Sequence, residues 1–388
     1  MPSSQGMDLF SPENPDVPYF AIKIEDTIYD IEYNYIENLT VNRKMDDIGD
    51  FSFTMVNVMD LGLEEKFLAL FKAYTETMPP LSFQYGWSNG NKSKWYRGYL
   101  MNYDPEFLPG GYMRLSLHGQ LLGDDASVES VESYKGNSIS EIVSQIAQQN
   151  DWVIEDLDQT TKFDAERTFR VSNIGLVDYI RKELEPYAVN SKKEPFRFYS
   201  EVRNGDETHI WFISVNKKIV QRSYNFFMNM GNYGPVLSWA PHYSGLTMAG
   251  FLDSATFDLD TNDVCVYGNE AKAAAKDGAT LTVYGSTTPD KMEALLANKW
   301  YQTNIGSITA TLEIVGDPTL VPYQSVNVLP MMAVGKLHRF TSGTYQIRNI
   351  TDTIGADYRT SMELFMIGEE DGSKTLPLAE AVEFKGSV

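Results

Sequence analysis

The run Asp258-Leu-Asp260-Thr-Asn262-Asp263 puts oxygen ligands at the first, third and fifth positions of a calcium-type loop. The pattern then breaks: Asp263 stands where the sharp turn needs glycine, and Asn269 where a bidentate glutamate closes the site. A solvated acidic strand edge is the simpler reading. His118, His209, His242 and His338 are the only histidines, and none has a neighbour at metal-ligand spacing. Cys265 is the single cysteine, so no intrachain disulfide can form. The sequence carries no phosphate-binding glycine loop, dinucleotide fingerprint, His-Glu-x-x-His or Gly-x-Ser-x-Gly. Paired carboxylates occur by chance among 53 acidic residues, and no pair stands out. Neither catalysis nor a cofactor is expected.

Lys192, Lys193, Arg197, Lys217, Lys218 and Arg222 interleave with Phe196, Phe198 and Trp211, a mixture that suits single-stranded nucleic acid. The charged ends of a hairpin around an apolar face give the same mixture. The hairpin is the simpler reading, and the net charge of −21 disfavours binding to phosphate and to anionic lipid unless a local basic groove offsets it.

The elements that must position these residues are mostly strands. Tyr112–His118 alternates, with Met113, Leu115 and Leu117 on one face. Leu81–Trp87 and Trp95–Tyr103 flank a turn at 88–93 and read as a hairpin, and Pro109-Gly-Gly111 supplies the next turn. Leu63, Phe67, Leu70 and Phe71 recur at helical spacing over 63–75. Ser138-Ile-Ser-Glu141 fits a capping box opening a helix with Ile139, Ile142, Val143 and Ile146 on one face. A second helix is expected from Ser172 or Asn173 to the stop at Pro186, burying Leu176, Val177, Ile180 and Leu184. Strands follow at 195–201 and 209–215. Beyond Pro235, strands are expected at 246–257, 263–267, 308–314, 325–329, 343–349 and 360–366, with a helix stripe of Met292, Leu295, Leu296 and Trp300.

The fold class is therefore mainly β, with two similar antiparallel β-barrel domains flanking an α+β middle domain. The expected boundaries are an N-terminal arm at 1–18, a first barrel at 19–122, the middle domain at 123–234, a second barrel at 235–366 with an insertion at about 268–287, and a tail at 367–388. Two β stretches of similar size suggest an internal duplication, although no residue-level repeat is visible. The first eighteen residues lack a basic and apolar leader pattern, and no apolar run reaches ~18 residues, so neither secretion nor a membrane span is expected.

The segment from Gly306 to Phe365 carries Gly316-Asp-Pro318, Val326-Asn-Val328, Ser342-Gly-Thr-Tyr-Gln-Ile347, Tyr358-Arg-Thr360 and Met362-Glu-Leu364. In order and spacing it resembles the distal barrel of bacteriophage tail hub proteins, a family that includes the T-even baseplate hub, the late control D proteins and the N-terminal half of type VI secretion spike proteins. Ala249-Gly-Phe-Leu-Asp-Ser254 and the helix before Asn150-Asp-Trp152 are also similar to family segments. The chain departs from the pattern at Pro322-Tyr323, where many members have Pro-Gly, and near Thr351-Asp352, where many have histidine.

The resemblance implies a homotrimer whose two tube-like barrels per chain give a ring of pseudo-sixfold symmetry, without catalysis of its own, in the baseplate of a contractile phage tail made in the bacterial host cytoplasm. Its implied partners are the central spike, the tail tube or tube initiator, the tape measure protein and the baseplate wedge proteins, with DNA passing through unbound and no membrane involved. Leu378, Ala381, Val382 and Phe384 in the polar tail are candidates for docking on the spike or a neighbouring subunit, against a plain solvated terminus. A tail-tip glycan-binding module, suggested by 6 Trp and 23 Tyr, and a cell-wall hydrolase are the alternatives.

Overall fold

The computed structural model describes residues 16–121 and 129–243 apart from positions 60, 75–77, 193, 204–206, 216, 218–219 and 228–234, the backbone of three strands between 252 and 283, positions 294, 295 and 298, and 308–367 apart from 332–337 and 339–340. Strands β1 (Pro18–Ile24), β2 (Thr27–Ile31), β3 (Ile36–Lys44) and β4 (Gly49–Val56) precede helix α1 (Leu63–Ala73), then β5 (Pro80–Trp87), β6 (Tyr96–Leu108) and β7 (Tyr112–Leu121). The alternation predicted for Tyr112–His118 holds: Met113, Leu115 and Leu117 are buried and His118 is exposed. Leu63, Phe67 and Leu70 of α1 join Phe20, Phe51, Phe53 and Phe83 in one core, where each fully buried side chain contributes roughly 1.5–3 kcal/mol. Gly110 and Gly111, both at positive φ, make the turn between β6 and β7.

The middle stretch holds β8 (Glu129–Ser138), α2 (Ile139–Gln149), β9 (Val153–Leu157), β10 (Lys162–Gly175), α3 (Leu176–Tyr179), β11 (Phe196–Arg203) and β12 (Glu207–Ser214). The Ser138 hydroxyl caps α2 by accepting from the Glu141 amide at 3.2 Å, while the Glu141 carboxylate reaches back to the Asn137 amide at 2.6 Å. The second helix starts later than its periodicity predicts. Ser172 and Asn173 both belong to β10: Ser172 is held extended by its ladder with β8, and Asn173 is the unpaired residue of a bulge, in the left-handed region. Pro186 does not stop an α-helix either: α3 widens into a π turn at Ile180–Leu184 and tightens into a 3-10 turn containing the proline. Leu176, Val177, Ile180 and Leu184 are nonetheless buried, as their spacing requires.

The rest comprises β13 (Val220–Phe227), β14 (Val236–Tyr243), β15 (Leu252–Asp258), β16 (Asp263–Tyr267), β17 (Ala279–Val283), β18 (Ile308–Val315), β19 (Ser325–Met331), β20 (Gly343–Ile354) and β21 (Tyr358–Met366). Strand β17 falls inside the expected insertion and pairs parallel with β15. Of the helix stripe at 292–300, Met292, Leu296 and Trp300 lie outside the described residues.

The two β halves repeat one pairing order. The first runs β1-β5-β6-β7-β4-β3 and the second β13-β19-β20-β21-β18-β14. They differ at one ladder: β1 is antiparallel to β5, whereas β13 is parallel to β19. Strand β20 then pairs antiparallel with β3, Asn349 opposite Lys44 through Ile354 opposite Leu39, and this ladder fuses both halves into one 16-stranded sheet.

Candidate functional site

The β3–β20 junction buries a dense polar cluster. Arg43 on β3 and Asp352 on β20 both face inward, each with a side chain 1% exposed. Arg43 Nη2 donates to Asp352 Oδ2 at 2.8 Å, and Nη1 donates to Tyr96 Oη at 3.0 Å and to the Leu320 carbonyl. Asp352 Oδ2 also accepts from Tyr85 Oη at 2.7 Å, while Oδ1 accepts from Thr360 Oγ1 at 2.5 Å and Tyr358 Oη at 3.2 Å. A buried ion pair is costly unless its remaining donors and acceptors are also met, and here hydroxyls from both halves and the Leu320 carbonyl supply most of them, with Arg43 Nε left without a partner among the described residues. Burial raises the phenols of Tyr85 and Tyr358 well above their ordinary value, so both remain neutral donors.

Motif residues of the distal barrel close the same junction. The Thr360 hydroxyl accepts from the Asp317 amide at 2.9 Å. Gly316 lies flat against the Tyr358 ring, where a Cβ would stand 2.3 Å from ring atoms, so glycine is required for the close approach. Trp87 of the first half packs on Tyr358 at 5.2 Å between centroids and donates Nε1–H to the Gly316 carbonyl at 2.7 Å. Tyr323, where the sequence departs from Pro-Gly, sits at φ +68°, in the left-handed region that favours glycine. Its ring packs at a tilt against Trp211 at 5.2 Å and Tyr199 at 5.6 Å between centroids, which ties the middle stretch to the second half and offsets the backbone strain.

A cleft of about 700 Å³ opens beside the junction, with Asp46, Arg181, Glu185 and Arg197 on one wall and Thr309 and Glu363 of the second half on the other. Glu185 Oε1 accepts from Arg197 Nη1 at 3.2 Å and Oε2 from the Phe198 amide at 3.1 Å. Burial outweighs both and pushes its carboxyl up to about 7.

The residues singled out by type do not converge. His118 and His242 are exposed on β7 and β14. His209 shares a hydrogen bond with Glu155 at 2.8 Å, and His338 one with Thr341 at 2.8 Å. The basic run is consumed by ion pairs: Arg197 with Glu185, Lys217 with Asp156 and Asp158 at 2.7 Å, and Arg222 with Asp317 at 3.2 Å. Lys192 is exposed in a turn, and Lys193 and Lys218 lie outside the described residues, as do positions 259–262 of the acidic run and all of Leu378, Ala381, Val382 and Phe384. Among the described residues no group of three or more His, Cys, Asp or Glu could hold a metal, and no helix is long and apolar enough to cross a membrane. Trp87, Trp95, Trp152, Trp211 and Trp239 are all buried or half-buried, so no described tryptophan offers the open platform that sugars stack on.

No protein-family model matches the sequence, and no curated protein matches it. Solved structures do. The 43 kDa tail protein of prophage MuSo2 from Shewanella oneidensis superposes with a TM-score of 0.58 at 11% identity, covering 89% of this chain and 98% of that one. This is the fold of phage tail proteins. A tail protein from Neisseria meningitidis gives 0.56 at 11% identity over 92% of this chain and 98% of its own. The E. coli c3393 protein, described as a type VI secretion component similar to the T4 tail proteins gp27 and gp5, gives 0.51 at 10% identity over 90% of this chain and 77% of its own.

In the tail-protein fold, the residues that sequence reasoning missed are Arg43 and the β3–β20 ladder. Their only signals in the sequence were an arginine at an inward position of an alternating strand and the Asp352 departure.

Proposed function

We propose that this chain is the structural hub of a contractile phage tail baseplate, a non-catalytic protein of the virion. Three copies form a ring that joins the sixfold tail tube to the threefold spike and lines the channel for tape measure and DNA. The observation that supports this reading is the β3–β20 ladder: one chain joins two β units of the same pairing order edge to edge, so three chains supply six such units. The likeness to tail proteins adds the setting. A trimer multiplies the net charge of −21 roughly threefold, and an acidic channel wall repels passing DNA rather than holding it.

Mass measurement of the purified full chain, with imaging of purified tails, tests the reading. The expected result is a threefold ring that co-purifies with tube and spike components. A protein that stays monomeric and never co-purifies with them overturns it.

A further inference from the structure

The repeat between the halves extends to single backbone irregularities. Strand β20 pairs with β19 up to Gln346, bulges at Arg348, and pairs with β3 from Asn349 onward. Strand β6 pairs with β5 up to Tyr99 and bulges at Met101, but beyond that point, among the described residues, only β7 flanks it. On the other side of the junction, the ladder of β3 with β4 skips Glu37 and that of β14 with β18 skips Leu237, each one residue after the first pair. Thus β6 stands in the first half where β20 stands in the second, and β14 stands in the second where β3 stands in the first. Among the described residues only one of the two equivalent junctions is made within the chain.

The open edges carry the marks of an unfilled junction. At the closed one, Val41, Asp352 and Ile354 face inward and are 0–1% exposed. Counted from the bulges, their equivalents are Pro241, Pro105 and Phe107; both prolines are exposed and Phe107 is 72% exposed. Among the described residues the two edges do not pair with each other: they end the path β14-β18-β21-β20-β3-β4-β7-β6 within the chain.

We infer that the outer half of β6 receives the β14 edge of a second copy of this chain, in the register that β20 and β3 adopt internally. Counting from the bulges sets Phe107 opposite Trp239, Glu106 opposite Ala240, Pro105 opposite Pro241 and Asp104 opposite His242. The last pair replaces Thr351 and Asn42, which share a hydrogen bond of 2.8 Å, with an acid facing an imidazole. The Met45 amide donates to the Arg348 carbonyl at 3.0 Å, which makes every second level from there a hydrogen-bonded one, and the two prolines fall on such a level. No ladder bond forms there and the strands splay. The seam is held by the levels on either side and by the Phe107 and Trp239 rings. The same prolines make each edge a poor template for indiscriminate pairing before assembly. Each copy offers one edge of each kind, so the contact is head-to-tail, and in the three-copy hub proposed above it closes into a ring. This rests on the trimeric-hub reading and specifies its subunit interface.

Glu106→Cys and Ala240→Cys, placed together in a full-length Cys265→Ser chain, test it. The level is a non-hydrogen-bonded one, where opposed Cα atoms lie ~4.5 Å apart and a disulfide fits. Mild oxidation should give covalent dimers and trimers on a non-reducing gel, and a mixture of the two single-cysteine chains should give one dimer band. Phe107→Lys should shift the mass to monomer with an unchanged far-ultraviolet circular dichroism spectrum, the melting temperature falling only by what assembly contributed. A ring of three that neither cross-links at this pair nor responds to Phe107→Lys overturns the seam and leaves the hub reading intact. A monomer at every concentration overturns both.

Discussion

Arg43 and Asp352 are separated by 309 positions in sequence and by 2.8 Å in space, and their buried ion pair pins the two β halves together. Removing one partner strands the other charge in an apolar setting, which destabilises by about 3–5 kcal/mol. Asp352→Ala should lose that much in urea denaturation. Asp352→Asn keeps an acceptor for the tyrosine and threonine hydroxyls and should fall between it and the native chain. Equal stability of all three would show that the pair does not carry the junction.

Tyr323 sets backbone strain against ring packing. Glycine there relieves ~1–2 kcal/mol of left-handed strain. It also forfeits the contacts with Trp211 and Tyr199, and deletion of a buried aromatic ring costs about 3–5 kcal/mol. Tyr323→Gly should therefore destabilise by roughly 2 kcal/mol net. A variant as stable as the native chain would mean that the ring contributes no more than the strain.

Gly316 admits no side chain. Its Cβ would meet the Tyr358 ring, which Trp87 and Tyr85 hold from other sides. Gly316→Ala should cost at least the ~1–3 kcal/mol of an overpacked core. Gly355→Ala is the matched control, because the added methyl would meet the Glu37 carbonyl at an ordinary 3.6 Å. Melting curves of the two variants should separate clearly, and coincident curves would refute the argument.

Glu185 predicts a pH dependence. Its carboxyl sits at about 7 in the folded chain against an ordinary 4.5, so between those values the folded state holds more protons than the unfolded one. Stability therefore falls as pH rises through this window. The native melting temperature should drop between pH 5 and pH 7.5 by more than that of Glu185→Gln, which keeps the shape and carries no charge. Parallel pH profiles would remove Glu185 as the cause.

Elements that depend on near neighbours were legible from residue order alone. The two-residue period of Met113, Leu115 and Leu117 makes a strand, the stripe of Leu63, Phe67 and Leu70 makes a helix, and Ser138 with Glu141 caps one, because each signal acts within a few residues of itself. The helix expected from Ser172 or Asn173 begins only at Leu176 for the opposite reason: a ladder with β8 outcompeted the local period over its first residues. Which strand lies beside which was left to the tertiary structure, since the backbone amides and carbonyls that pair strands are the same at every residue. Hence the repeat that no residue comparison revealed is plain in the order of ladders and in the bulges at Met101 and Arg348. Charge followed the same division. The sequence set a net −21, but only the fold placed Arg43 and Asp352 where a buried pair could join two halves of one chain.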